Sequence, residues 1–243
     1  MDETHWINDI DDGFEVNVVD NAMWQPDDKV AKVVDEIWEQ EKLKRGDGLF
    51  NGRLFGVIDY DRRRVMGRWF EYKYYVAHRY DPYLFENTFL IPLGVSGIIA
   101  HEDYVVFGRR SDRVMCYPGA WELAPSGAVD PTCLNTDKLM VDYERLLMKE
   151  LHEETGLQVA EMDGVDVIGF GRDMKEASFE VCARIRSKLD YRAMVARLDE
   201  AQNDEYREFN VVGLNEIEQF VEENAGTILP ISLGILRKLG MRK

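Results

Sequence analysis

Groups able to do chemistry are most concentrated in the segment Lys149-Glu150-Leu151-His152-Glu153-Glu154-Thr155-Gly156-Leu157. On a helix, Glu150 and Glu154 stand about 40° apart, and Glu153 flanks Glu150 about 60° to the other side. Three carboxylates therefore crowd the last turn and a half before Gly156, where the helix dipole already disfavours negative charge. On their own they read as a solvated acidic face. The alternative is that a cation fills the gap between them. An all-oxygen donor set suits Mg²⁺, with Mn²⁺ as the other candidate.

The flanking sequence decides between these readings. Upstream stand Arg109-Arg110 and the string Gly119-Ala120-Trp121-Glu122-Leu123-Ala124-Pro125-Ser126-Gly127. Together with the glutamate segment, this pattern resembles the Nudix hydrolase box, a Gly-led loop followed by a helix ending Arg-Glu-apolar-x-Glu-Glu-x-Gly-apolar. Lys149 stands at the place of the arginine, and Ser126 at that of a glycine. The resemblance covers Phe89 to the C-terminus. It departs from the family in two ways. From Gly127 to Lys149 is 22 residues, longer than the family pattern, and the family's early glutamate has no counterpart. Asp130, Asp137 and Asp142 are candidates to replace it.

The resemblance implies a metal-dependent hydrolase of a nucleoside diphosphate linked to a group X. Glu150 and Glu154, helped by Glu153, would hold the metal, and Arg109 and Arg110 would neutralise phosphate charge. Glu122 and Ser126 would touch the ligand. Leu49–Phe55, Glu71–Tyr74 and Gly169–Asp173 are similar to segments of the UDP-glucose (UDP-sugar) diphosphatase branch, whose substrates give UMP and a sugar 1-phosphate. In that branch the N-terminal part helps hold the nucleotide, which would put Tyr72 near the base. Glu176 and Glu180 fall where some Nudix enzymes carry a base. ADP-ribose is the alternative substrate, and a non-catalytic nucleotide-binding regulator is the alternative class. Simpler readings stand beside these: Arg109 and Arg110 as a strand-end surface pair, Tyr72 and Tyr74 as packed strand aromatics, Trp121 as core, His152 as surface.

The elements that must position these residues read as a mixed sheet between helices, α/β or α+β. A smaller N-terminal α/β domain, residues 1–88, would precede the Nudix-like domain, residues 89–243. Residues 1–13 are polar and acidic and read as a loose tail. Phe14–Val19 alternates like a strand. Asp27 or Asp28 caps a helix from Lys29 to Lys44, stopped by Gly46-Asp47-Gly48, with Val30, Val33, Val34, Ile37 and Trp38 on one stripe. Leu54–Tyr60 and Val65–Tyr75 form a hairpin, and Asp81-Pro82 breaks the chain. Two strands, Phe89–Ala100 and Tyr104–Phe107, lead into the Gly- and Pro-rich loop 109–131. The long helix is read from Thr136 to Thr155, with Gly156 as its stop. Strands at Val165–Phe170, Phe179–Ile185 and Phe209–Val212, and helices at Asn215–Glu223 and Pro230–Leu239, complete the chain.

Composition narrows the partners. Thirty Lys and Arg against 46 Asp and Glu leave a formal charge of −16, which opposes binding to long nucleic acid and leaves small phosphorylated ligands open. The longest apolar stretch, Phe89–Ala100, is too short to span a bilayer. Cys116, Cys133 and Cys182 show neither disulfide nor zinc spacing. The expectation is a reduced, cytoplasmic protein acting on a small nucleotide, with no membrane partner; oligomeric state is left open by these residues.

Overall fold

A computed structural model describes residues 4–20, 22–46, 49–86, 88–201 and 203–242. Its organising element is one long strand that pairs with four others. The strands β3 (Arg53–Tyr60) and β4 (Arg64–Glu71) form the expected hairpin, and β5 (Ile91–Ala100) pairs with β3 through Gly56↔Pro92 and Val57↔Ile91. Farther along, β5 runs parallel to β12 (Ser178–Ser187), and antiparallel to β8 (Ser126–Ala128) and to the start of β6 (Tyr104–Arg110). The mixed sheet expected from the sequence is therefore centred on β5. Residue 88 lies between the parts this strand joins. Phe14, Val16, Phe55 and Trp69 share one apolar cluster with Leu93, Val95 and Ile99.

Alternation along β5 assigns its two faces. Val95 and Ile99 pack toward α3 (Tyr143–Thr155), through Leu146, Leu147 and Leu151. Ile98 packs with Phe107 against α5 (Ile217–Glu223) and α6 (Pro230–Lys238), through Phe220, Ile231 and Ile235. Helices thus cover both sides of the sheet. The remaining strands extend it: β11 (Met162–Asp173) on β12, β13 (Tyr206–Gly213) and β7 (Trp121–Leu123) on β6, and β2 (Glu15–Val18) on β4. No helix among the described residues is long and apolar enough to cross a membrane.

Four local expectations are corrected. The segment read as a tail contains β1 (His5–Asn8), paired antiparallel with β11, and Trp6 packs near Tyr60, Phe170 and Phe179. The second hairpin strand ends at Glu71, and Tyr72–Tyr80 is a helix, α2. Its first turn is held from outside: the Lys73 N–H donates to Asn51 Oδ1 at 3.0 Å and the Tyr72 N–H to Gly52 O at 2.8 Å. The long helix starts at Tyr143 with Asp142 as its cap, not at Thr136. Residues 134–141 fold instead as a small hairpin, β9 (Leu134–Asn135) on β10 (Met140–Val141). The last correction is α4 (Tyr191–Asp199), which had no expected counterpart.

Helix α1 (Asp28–Arg45) matches expectation, with Asp27 accepting from the Lys29 and Val30 N–H groups; Val34 and Trp38 are buried, while Val33 faces out. Its stop is Gly46, and the expected Asp47 and Gly48 lie outside the described residues. Glu41, buried against α2, accepts hydrogen bonds from Lys44, Tyr80 and Arg45. The Lys44 and Tyr80 bonds hold its carboxyl at about 2, below the ordinary 4.5. A depressed folded value contributes stability that is present above about pH 4.5 and lost as pH falls toward 2. Glu41→Gln is accordingly expected to lower Tm at pH 7 and to flatten the acid limb of Tm against pH. An acid limb identical to the parent's would exclude Glu41 as its source.

Candidate functional site

A cavity of about 1040 Å³ opens beside β5. Aromatic and apolar side chains line one region of it, among them Phe50, Leu54, Tyr72 and Tyr75. Ser126 and Gly127 of β8 form part of its wall, with Arg110 and Glu122 also facing in. Among the described lining residues, three arginines meet seven carboxylates.

Behind Ser126 and Gly127 stands the last turn of α3. The Ser126 N–H donates to Glu154 Oε2 at 3.2 Å. A Cβ on Gly127 would lie 2.6 Å from Glu150 Cγ, so the bare glycine is what lets β8 lie against the helix. The step of 22 from Gly127 to Lys149 takes in the Pro131–Cys133 turn, the β9–β10 hairpin and the first turns of α3, which accounts for the long spacing. The place of the early glutamate falls on Cys133 when counted forward from Gly127 and on Val141 when counted back from Lys149, and both residues are buried in the core. Asp142 caps α3 and Asp130 caps the Pro131–Cys133 turn, so both have local duties.

The three glutamates have distinct surroundings. Glu154 is 2% exposed, and among the described residues its Oε1 is buried with no hydrogen-bond partner. Burial, then the Glu205, Glu122 and Glu150 carboxylates, push it well above the ordinary carboxylate range. Glu150 is partly buried and is also pushed up by burial, with Lys149 opposing. Glu153 is 55% exposed and turns to Lys149, whose Nζ lies 2.9 Å from Glu153 Oε2 and 3.2 Å from Glu150 Oε1. Lys149 thus draws two of the carboxylates to itself. Among the described residues, no three Asp, Glu, His or Cys side chains are gathered as a formed metal group. The chemistry of the set still fits a hard divalent cation: the donors are all oxygen, and one buried carboxylate oxygen is orphaned.

Of the other expected residues, Tyr72, Arg110, Glu122 and Ser126 line the cavity. Tyr72 is in a helix, with its hydroxyl on Met115 Sδ at 3.1 Å; burial raises it to about 12. Arg110 bonds Glu122 through Nη1 and the Cys116 carbonyl through Nε at 3.0 Å. Glu122 also accepts from the Tyr206 hydroxyl at 2.8 Å. Arg109 is directed elsewhere, to Glu208 at 2.9 Å and the Gly119 carbonyl. Trp121 is buried core, as read. Glu205 was not singled out by the sequence. It precedes β13, lines the cavity, and raises Glu154 by proximity. It belongs to no local motif, and pairing of β13 with β6 is what brings it here.

No protein-family model and no curated protein matches the chain. Among solved structures it is similar to DR0079 of Deinococcus radiodurans, at 13% identity over 76% of this chain and 98% of that one, with a TM-score of 0.48. It is also similar to the MutT protein of Methanosarcina mazei, at 18% identity over 61% and 92%, with a TM-score of 0.43. A third is the bifunctional NMN adenylyltransferase/ADP ribose pyrophosphatase of Francisella tularensis, solved with AMP and a Mn ion. Identity there is 12% over 69% of this chain and 46% of that one, with a TM-score of 0.45. Likeness this distant assigns neither activity nor substrate.

Proposed function

We propose that the chain is a divalent-metal-dependent hydrolase of the Nudix type, cleaving the diphosphate of a nucleoside diphosphate linked to X, with a UDP-sugar as the preferred substrate. The observation that carries this reading is the meeting of the two motif halves: Ser126 and Gly127 lie directly on Glu154 and Glu150 at the edge of a cavity. The lining gives a second reason. Carboxylates outnumber arginines there, so a diphosphate would be repelled unless a cation came with it.

Glu154 and Glu150, with Glu205 beside them, would hold that cation. When bound, it supplies Lewis-acid polarisation and an activated water. The protein's own part is positional. The apolar and aromatic side chains would exclude water from the nucleoside end, and Arg110, held through Nη1 by Glu122 and through Nε by the Cys116 carbonyl, lines the cavity where a phosphate oxygen would meet it. Water adds to one phosphorus and the bridging P–O bond breaks, giving UMP and a sugar 1-phosphate. Assaying UDP-glucose, ADP-ribose and related compounds with Mg²⁺ and Mn²⁺ tests this. Absence of turnover on every compound would overturn it. One observation favours a second reading, nucleotide binding without turnover: Lys149 holds Glu150 and Glu153 where a cation would need them. Saturable binding with no cleavage would select it.

Base choice must come from outside the carboxylate helix, and Tyr72 is our candidate for it. Tyr72→Ala is expected to raise KM for a UDP-sugar by roughly fivefold to a hundredfold, the worth of one aromatic stack of about 1–3 kcal/mol, and KM for an adenine analogue far less. Equal loss on both bases, with a lowered Tm, would leave Tyr72 as packing against Trp38 and Tyr75.

A further inference from the structure

Glu180, near the start of β12, faces the same cavity and has no part in the diphosphate chemistry above. Among the described residues its side-chain hydrogen-bond partners are two uncharged hydroxyls, Ser178 donating to Oε1 at 2.7 Å and Ser96 to Oε2 at 3.1 Å. Burial pushes the carboxyl up to about 7, with the two serines opposing. Gly94, opposite it on β5, makes the room: a Cβ there would lie 2.6 Å from Glu180 Oε2. The same Cβ would lie 3.1 Å from the Gly127 carbonyl. One strand therefore separates Glu180 from the loop that lies on Glu150 and Glu154.

In its ionised form, present above about pH 7, the Glu180 carboxylate offers about four lone-pair sites, and the serines fill two. Its occupant in the cavity must suit a negative acceptor. A phosphate oxygen repels it and the cation is assigned to Glu150 and Glu154, which leaves a neutral hydroxyl as the donor that suits it. Two oxygens, each fixed in direction by its own serine, match a pair of hydroxyls on neighbouring carbons. We propose that Glu180 accepts hydrogen bonds from vicinal hydroxyls of the group X, so that X is a sugar ring and Glu180 sets the preference for it. The proposal rests on the reading of this cavity as a nucleoside diphosphate site, with the nucleoside toward Tyr72.

The test is the affinity of the full chain for two matched pairs, UDP-glucose against UDP and ADP-ribose against ADP, measured by calorimetry with Ca²⁺ in place of Mg²⁺. The parent should prefer the sugar-bearing member of at least one pair. Glu180→Gln should weaken that member by roughly tenfold to a hundredfold, the loss of hydrogen bonds to a charged acceptor, while the bare diphosphate stays within about twofold. Glu180→Asp, which keeps the charge but retracts it, should recover part of the preference. A parent without preference, or a Glu180→Gln variant that weakens both members equally or neither, overturns the assignment. The underlying reading fails separately: if the sugar compound binds through Glu180 yet is not cleaved with Mg²⁺ or Mn²⁺, hydrolysis falls and the sugar contact stands. Failure of all four compounds to bind removes both.

Discussion

Glu154→Gln is expected to lose most of the turnover while raising the melting temperature of the metal-free protein. In the parent, Glu154 is buried among the carboxylates of Glu205, Glu122 and Glu150, with Oε1 unpartnered and Oε2 on the Ser126 N–H. A carboxyl whose folded value lies above the ordinary 4.5 binds its proton more tightly when folded. Its contribution to stability therefore falls as pH rises from about 4.5 through the raised value. Glutamine keeps the shape and the Ser126 hydrogen bond without the charge, so the variant should be more stable at pH 7 and less sensitive to pH. A divalent ion at a hundred times its Kd adds about 2.7 kcal/mol, or roughly 5–10 °C for a chain of this size. That rise should appear in the parent and vanish in Glu154→Gln. Turnover should drop by about a hundredfold to a thousandfold, the usual cost of one electrostatic contact in the transition state. A variant with the parental rate, or with the parental metal-induced rise in Tm, would remove Glu154 from the site.

Local periodicity revealed the parts of this site that are local. The end of α3 was legible because its carboxylate spacing and the Gly156 stop lie within one helix, and Gly156 adopts the left-handed conformation expected, with φ 71°. Its start was not. Leu134–Val141 carries helix-compatible residues, but Met140 pairs with Asn17 of β2, a partner more than a hundred residues away. The same reason hid β1, four residues in a polar segment that become a strand by lying on β11, and α2, whose first turn is held by Asn51 and Gly52. Glu205 and Glu180 show the limit most clearly. Glu205 has only Asp204 beside it and no motif, and Glu180 is marked only by its place in the family pattern; each reaches the cavity through a strand pairing, β13 with β6 and β12 with β5. A motif marks residues that one element holds together; groups assembled by sheet topology leave no such mark.

Arg110→Met should destabilise the protein far more than the loss of a surface cation would. Arg110 is 13% exposed and its partner Glu122 is 4% exposed, so the pair is largely out of water. Removing the guanidinium leaves Glu122, among the described residues, with the Tyr206 hydroxyl as its remaining side-chain donor, too little for a buried charge. Breaking one side of such a pair costs about 3–5 kcal/mol, or roughly 6–20 °C in Tm at this chain length. Removing both charges is a different experiment. In Arg110→Met/Glu122→Leu neither member of the pair is left alone, although Glu205 loses a favourable cation and the Tyr206 hydroxyl its acceptor, and replacing a buried pair by apolar groups is close to neutral in stability. The double variant should therefore recover most of the lost Tm. Catalysis separates the two duties of the arginine. If Arg110 serves the substrate through Nη2, the double variant folds well yet keeps a raised KM for the nucleotide. If it serves Glu122 alone, stability and KM return together. A single variant that melts with the parent while KM rises would mean that Glu122 does not depend on Arg110, and that this guanidinium faces the ligand first.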